Sequence, residues 1–197
     1  MAKIFFDCGT HYGEGLRQFS DMFQMNEEWK IHTFEANPVT YEVFKNRRLP
    51  HLGNNIQAYN YAVTTYDGEI DMYIESPDTE IRDTGQGSSI VSKDKWNPQD
   101  GILKFKEELV PVPCIDLSKF LELHTSEDDF IVMKLDVEGA EYDILDKMLE
   151  DMTLHRISHL FVEFHAKYFT NLQEMQLREF NLVQRIQREG INLHHWG

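Results

Sequence analysis

Short apolar runs alternate along this chain with segments in which apolar residues recur every three or four positions. The first run is Ile4, Phe5 and Phe6, and the segment after it places Leu16 and Phe19 on one helical face. Uninterrupted apolar runs are typical of parallel strands buried on both faces, and helical spacing is typical of a helix packed against such strands. The alternation therefore predicts an α/β fold with a doubly wound, mostly parallel sheet.

The same alternation continues through the rest of the chain. Asn37 followed by a proline is typical of a helix start, and Gly190 is typical of a helix end. The pattern predicts further strands at 30–35, 55–63, 69–75, 131–136, 160–165 and 191–196, and further helices after Asn37, after Asp116, after Gly139 and at 172–189.

The loop after the first strand combines one acid, Asp7, with the glycines Gly9, Gly13 and Gly15. Glycines at a strand-to-helix turn let a nucleotide approach the backbone closely. The spacing differs from the dinucleotide fingerprint, and a carboxylate at this place would repel a pyrophosphate. It would suit a cationic ligand such as S-adenosylmethionine, which carries an ammonium and a sulfonium. The alternative is a plain glycine-rich turn with a local hydrogen bond to Asp7.

Glu35 ends the second predicted strand, 20 residues after Gly15. An acid at about this distance from a glycine loop commonly binds the diol of a ribose, although it can also simply end a strand near a helix N-terminus. The tip of the third strand, 60–62, lies where an adenine would pack. The residues expected to bind S-adenosylmethionine are Asp7, Gly9, His11, Gly13, Glu35, Asn37, Tyr61, Ala62 and Asp136.

A second group of candidate residues surrounds the end of the strand at 131–136. Four acids lie within eight residues: Asp136, Glu138, Glu141 and Asp143. Glu141 and Asp143 are typical of acids that complement a helix dipole, whereas Asp136 ends a central strand and is the best catalytic candidate. Lys134 would either neutralise an acid or face the substrate.

The strand predicted at 160–165 adds Glu163 and His165, which share one face by period two. Because this strand neighbours the one ending in Asp136, the three side chains are expected to converge as catalytic residues. They would hold a divalent metal that acidifies a hydroxyl, or His165 would act alone as a general base. A plain hydrogen-bond network is the third interpretation.

Residues 76–113 lack regular periodicity over much of their length. A long irregular stretch in a compact domain is more often functional than not, so we interpret it as a substrate-side loop or insert within a single domain spanning 1–197. Its segment 87–89 is expected near the crevice at the strand ends. The alternative is a mobile surface loop.

The charge balance narrows the range of partners. The 197 residues carry 34 acids and 19 bases, a formal net charge of −15. Such a chain repels phosphate backbones, so nucleic acid is not expected as a partner and small or neutral substrates are favoured. No apolar run approaches a signal peptide or a membrane span, and the two cysteines lie far apart, which leads us to expect a cytoplasmic protein.

The run 134–141, KLDVEGAE, resembles the hallmark of the FkbM-type family of class I methyltransferases. Other pieces agree in order, namely FFDCGTHYG at 5–13, TFEANP at 33–38, NYAV at 60–63, GSSI at 87–90, VPCIDL at 112–117 and LFVEFH at 160–165. The resemblance implies a Rossmann-like sheet and O-methylation of sugar or natural-product hydroxyls from S-adenosylmethionine. It also implies donor binding by Asp7, Gly9 and Glu35, and an acceptor side around Asp136, Glu163 and His165.

The resemblance leaves the C-terminal end of the sheet unexplained. Class I methyltransferases usually add a final antiparallel strand, and none is recognisable here, so the sheet is expected to be minimal or truncated at its C-terminal hairpin. A partner chain in a homo-oligomer would then cover the exposed edge. Two rival functions stay open, a nicotinamide-dependent oxidoreductase and a catalytically silent binding module.

Overall fold

A computed structural model describes residues 1–53, 55–75, 87–97 and 105–197, and its strands build two sheets. The strands of the described residues are β1 Lys3–Cys8, β2 Trp29–Phe34, β3 Ile56–Tyr59, β4 Ala62–Thr64, β5 Gly68–Glu75, β6 Phe105–Asp116, β7 Phe130–Leu135, β8 His159–Val162 and β9 Leu193–His195. The central sheet has the order β3-β2-β1-β7-β8-β9, and all its neighbouring pairs are parallel. This confirms the predicted doubly wound sheet, whose strand order reverses between β1 and β7.

Helices cover both faces of this sheet. They are α1 Glu14–Phe23, α2 Pro38–Arg47, α3 Leu117–His124, α4 Glu141–Glu150 and α5 Leu172–Arg188. Asn37 caps α2 by accepting a hydrogen bond from the Val39 N–H, and Asp116 caps α3 in the same way, as predicted. On α2, Phe44 is fully buried, whereas Val39 is 69% exposed. None of the described helices is both long and apolar enough to cross a membrane.

The first strand shows why its apolar run is uninterrupted. Phe5 lies on the face covered by α1 and stacks on Phe19 at 4.9 Å between ring centroids, while Ile4 and Phe6 lie in the core on the opposite face. Each of these side chains is fully buried. Burial of one such side chain contributes roughly 1.5–3 kcal/mol, so the strand is fixed from both sides.

A second, three-stranded sheet of order β4-β6-β5 was not predicted. The strand expected at 55–63 is in fact two strands, because the Asn60 amide donates hydrogen bonds to the carbonyls of Glu35 and Ala36 and interrupts the pairing. β6 also corrects the loop expected at 76–113, since 105–113 is strand. Residues 76–86 and 98–104 of that loop lie outside the described residues.

The last strand, β9, pairs in parallel with β8 and forms an edge of the central sheet. This confirms the strand expected at 191–196. Within the described residues the central sheet contains no antiparallel strand. A partner chain on this edge stays a prediction.

Candidate active site

A cleft of about 250 Å³ opens at the carboxyl ends of β1, β2 and β7, at the point where the strand order reverses. Ligands of open α/β sheets bind at such a point, because the loops on either side diverge there. One end of the cleft is mainly apolar and the other is acidic. Its lining residues are Gly9, His11, Phe34, Glu35, Ala36, Tyr61, Ala62, Val63, Met72, Ser88, Ile90, Asp136, Val137, Glu138 and Glu163.

The glycine turn after β1 forms one wall of the cleft. The N–H groups of Gly9 and Thr10 both donate to the Phe34 carbonyl, each at 3.0 Å. Gly9 has a φ of +82°, and a Cβ atom at this position would overlap the backbone carbonyl of Asp136. The turn therefore packs directly against the end of β7, and glycine is required for both conformation and space.

Glu35 lies in the cleft wall with only 8% of its surface exposed. One carboxylate oxygen accepts the His11 N–H at 2.7 Å, and the other accepts the Asn37 N–H at 2.9 Å. Burial raises the pKa of the carboxyl above its usual range, while these two N–H donors act in the opposite direction. Each oxygen keeps a second lone pair for a ligand hydroxyl.

Asp7 is fully buried beneath the turn and does not line the cleft. Its nearest cation is the Lys134 ammonium at 3.4 Å, and neither carboxylate oxygen has a hydrogen-bond partner among the described residues. Burial raises the pKa of the Asp7 carboxyl, although the charge of Lys134 lowers it in part. A direct contact between Asp7 and a cationic methyl donor was expected. The buried position of Asp7 does not favour this contact.

The structure divides the expected donor-binding residues into two groups. Three of these residues, Asp7, Gly13 and Asn37, do not line the cleft. Gly13 and Asn37 are the N-cap residues of α1 and α2. The Asn37 amide also donates to the Ser88 hydroxyl at 3.3 Å, which ties α2 to the segment at 87–90. The members of the expected set that do line the cleft are Gly9, His11, Glu35, Tyr61, Ala62 and Asp136.

His165 is the buried centre of the acidic end. Its Nδ1 lies 3.2 Å from Glu141 Oε1, and its Nε2 lies 3.3 Å from Glu138 Oε2 and 4.0 Å from both Asp136 Oδ1 and Glu163 Oε1. Burial alone would lower the pKa of the imidazole, but the hydrogen bonds and charges of Glu138 and Glu141 raise it well above its ordinary value. The predicted convergence of Asp136, Glu163 and His165 is therefore present in the structure.

Glu163 and His165 were predicted to share one face of a strand, and this was wrong. β8 ends at Val162, so both residues follow the strand rather than alternate along it. Glu163 contributes a carboxylate at the cleft surface, 26% exposed, and burial raises its pKa, as does the charge of Asp136.

Glu141 was expected to complement the dipole of α4, yet it is fully buried. Its Oε2 accepts the Gly139 N–H at 2.9 Å, and its Oε1 accepts the His165 backbone N–H at 2.9 Å. The same Oε1 lies 3.2 Å from His165 Nδ1 and orients the ring so that Nε2 faces the cleft carboxylates. Glu141 thus stabilises the conformation of the site, a role that the sequence pattern did not predict.

Glu138 is the second acid that sequence reasoning did not assign to the site. It has a φ of +52°, which is uncommon for a residue other than glycine, and its carbonyl accepts the Ser89 hydroxyl at 2.6 Å. Burial raises the pKa of its carboxyl, against the opposing effect of His165. Such a strained loop leaves no periodic signal in the sequence.

Three side chains within the described residues lie close enough together to bind a metal ion. One ligand atom from each of Asp136, Glu138 and His165 lies within 4.8 Å of the others. The structure therefore places Glu138 where the sequence analysis placed Glu163. A carboxylate behind the imidazole, here Glu141, is a common arrangement around metal-binding histidines, and it is equally compatible with a hydrogen-bond network.

Comparisons with known proteins agree with this architecture. The model of the methyltransferase FkbM domain family matches residues 7–187. A crystal structure of methyltransferase FkbM from Methylobacillus flagellatus KT is similar in fold, with a TM-score of 0.53 and 12% sequence identity. The alignment covers 94% of this chain and 37% of that chain, so the present chain spans little more than a third of the length of its structural neighbour. No curated protein matches the chain.

Proposed function

The chain belongs to the FkbM methyltransferase domain family, and on this premise we propose that it transfers a methyl group from S-adenosylmethionine to a hydroxyl of a sugar, glycan or natural-product acceptor. Membership supports a methyltransferase function, and class I methyltransferases in general use S-adenosylmethionine. The use of S-adenosylmethionine by this chain, the hydroxyl chemistry and the acceptor class are the parts proposed here.

The observation that carries the proposal is the position of Glu35. Its carboxylate lies in the cleft wall, beside the glycine turn, where a ribose diol is bound in nucleotide-binding sheets of this topology. The apolar end of the cleft, at Tyr61, Ala62 and Met72, then takes the adenine. The acidic end at Asp136 faces the sulfonium, whose positive charge its carboxylates favour.

Methyl transfer at this site is an in-line displacement. The acceptor oxygen forms a bond to the methyl carbon as the bond from that carbon to sulfur breaks, and S-adenosylhomocysteine leaves. The hydroxyl proton passes to Asp136, whose side chain is 21% exposed at the cleft, while His165 is 2% exposed with a carboxylate near each ring nitrogen. We therefore assign His165 and Glu163 to the immediate surroundings of the proton acceptor. Positioning of the two reactants supplies most of the rate enhancement.

The acidic end of the cleft also offers ligands for a divalent metal. Asp136, Glu138 and His165 would hold it, since their ligand atoms converge and a mixed carboxylate and imidazole set suits several divalent cations. When bound, the metal would polarise the acceptor hydroxyl.

Replacing Glu35 with glutamine should weaken S-adenosylhomocysteine binding by about tenfold to hundredfold, because a charged acceptor of the ribose hydroxyls is lost. Titration calorimetry measures this change. Glu42→Gln is the matched control, since Glu42 is 59% exposed on α2 and should leave the affinity unchanged. Equal affinities of the wild type and of Glu35→Gln for S-adenosylhomocysteine would show that Glu35 does not bind the ribose.

The function itself is tested by incubating the protein with labelled S-adenosylmethionine and a panel of hydroxylated glycans and natural products. We expect label in at least one neutral acceptor and none in nucleic acid. Parallel reactions with EDTA and with added Mg²⁺ or Mn²⁺ test the metal, and stimulation that Glu138→Gln abolishes would assign it to this site. Absence of transfer to every acceptor, with normal donor binding, would favour a silent binding module.

A further inference from the structure

Lys134 is a buried cation that the mechanism above does not use. Its ammonium donates a hydrogen bond to the Gly9 carbonyl at 2.8 Å, and it lies 3.0 Å from Asp136 Oδ2 and 3.4 Å from Asp7 Oδ1. The Gly9 carbonyl accepts one of the three N–H donors of the ammonium, and the two carboxylates lie within ion-pair distance. The Lys134 side chain is only 5% exposed and does not line the cleft, so it is not placed to contact a substrate directly.

The strand register explains how the ammonium reaches these oxygens. Asp7 of β1 and Lys134 of β7 are directly paired in the parallel ladder, on either side of the point where the strand order reverses. The aliphatic part of Lys134 then passes beside Gly15 at the start of α1. The ammonium thus lies between the glycine turn, which belongs to the donor side, and Asp136, which belongs to the acceptor side.

Two roles would be consistent with a buried lysine beside a buried aspartate. In the first, Lys134 only neutralises Asp7, whose burial without hydrogen bonds would otherwise be unfavourable. In the second, Asp7 keeps Lys134 charged, and Lys134 holds the other two groups. The distances favour the second role, because the ammonium is closer to the Gly9 carbonyl and to Asp136 than to Asp7.

We propose that Lys134 is a positioning residue that holds the Asp136 carboxylate and the Gly9 turn in one fixed geometry. With one Asp136 oxygen on Lys134, the other is directed towards His165 and the cleft. The donor turn and the proton acceptor are thereby aligned before either substrate binds. This inference rests on the proposed methyl transfer.

The test removes both charges of the buried pair together, in Asp7→Asn/Lys134→Met, because Lys134→Met alone would leave Asp7 unpaired. The matched control is Asp67→Asn/Lys119→Met, an ion pair whose side chains are 51% and 59% exposed. We expect kcat of the first double variant to fall by about 100-fold, with the acceptor KM within about threefold of wild type, since misaligned reactants lose rate rather than binding. The control should retain both parameters.

Amide hydrogen exchange supplies a readout that does not depend on activity. The amides of Gly9, Thr10 and Gly13 are hydrogen-bonded in the turn and should exchange faster in Asp7→Asn/Lys134→Met, while the rest of the sheet keeps its protection. If that variant does not fold, Asp7→Asn/Lys134→Gln is examined in its place. Wild-type kcat or unchanged exchange at the turn would overturn the inference. Failure of the wild type to transfer methyl groups would instead reject the proposed function and leave the exchange result to decide the role of Lys134.

Discussion

Replacing Asp136 with asparagine should lower the rate of methyl transfer by about 10²- to 10⁴-fold, while S-adenosylhomocysteine binds almost as tightly as to the wild type. The side chain follows β7 at the point of strand reversal and is exposed to the cleft between Lys134 and His165. An amide at this position keeps the shape of the site but is a far weaker proton acceptor. The measurement is single-turnover transfer of labelled methyl, together with calorimetric titration of S-adenosylhomocysteine.

The control for this variant is Asp143→Asn. Asp143 lies in the first turn of α4, 73% exposed and paired with Arg178, so its neutralisation should change neither rate nor affinity. A loss of affinity as large as the loss of rate in Asp136→Asn would contradict the assigned role, because Asp136 would then be a donor-binding residue rather than a proton acceptor.

The second large effect is expected for Gly9→Ala. An alanine at this position would need a backbone φ of +82°. Its Cβ atom would overlap the backbone carbonyl of Asp136, which cannot move without disturbing β7. Backbone strain of about 1–3 kcal/mol and overpacking of about 1–3 kcal/mol together should lower the free energy of unfolding by several kcal/mol. Donor binding should be lost with the turn. Thermal or urea unfolding and titration with S-adenosylhomocysteine measure the two effects.

Gly15→Ala is the matched control within the same loop and helix. A Cβ atom there would meet the Lys134 side chain at 3.5 Å, an ordinary contact, and the residue lies in α1. Alanine is favoured over glycine by about 0.8–1.0 kcal/mol in a helix interior. Gly15 lies in the first turn of α1, so part of this preference applies and the variant should be at least as stable as the wild type. Similar destabilisation by both substitutions would contradict the tight packing of the turn against β7.

The central sheet could be predicted because its strands are buried on both faces. Runs such as 4–6 and 131–133 have no polar interruption, and the acids that follow β2 and β7, Glu35 and Asp136, lie at the cleft as expected. Asp7 shows the limit of that reasoning. Its position at a strand end was correct, but only the pairing with Lys134 shows that its side chain is buried under the turn instead of exposed to the ligand.

The second sheet could not be predicted, because long-range contacts define it. The segment 55–63 has a continuous strand pattern, and the break within it depends on the Asn60 amide reaching carbonyls more than 20 residues away. Glu141 is a similar case. An acid in the first turn of a helix usually faces solvent, and only the approach of His165 from another part of the chain buries it.

The central claim is that the cleft binds an adenosyl methyl donor through Glu35 and the glycine turn. Calorimetric titration of the wild-type protein with S-adenosylhomocysteine, and separately with NAD, tests this claim most directly. We expect saturable binding of S-adenosylhomocysteine at one site per chain and no binding of NAD. Absence of S-adenosylhomocysteine binding at millimolar concentration, or tighter binding of NAD, would contradict it.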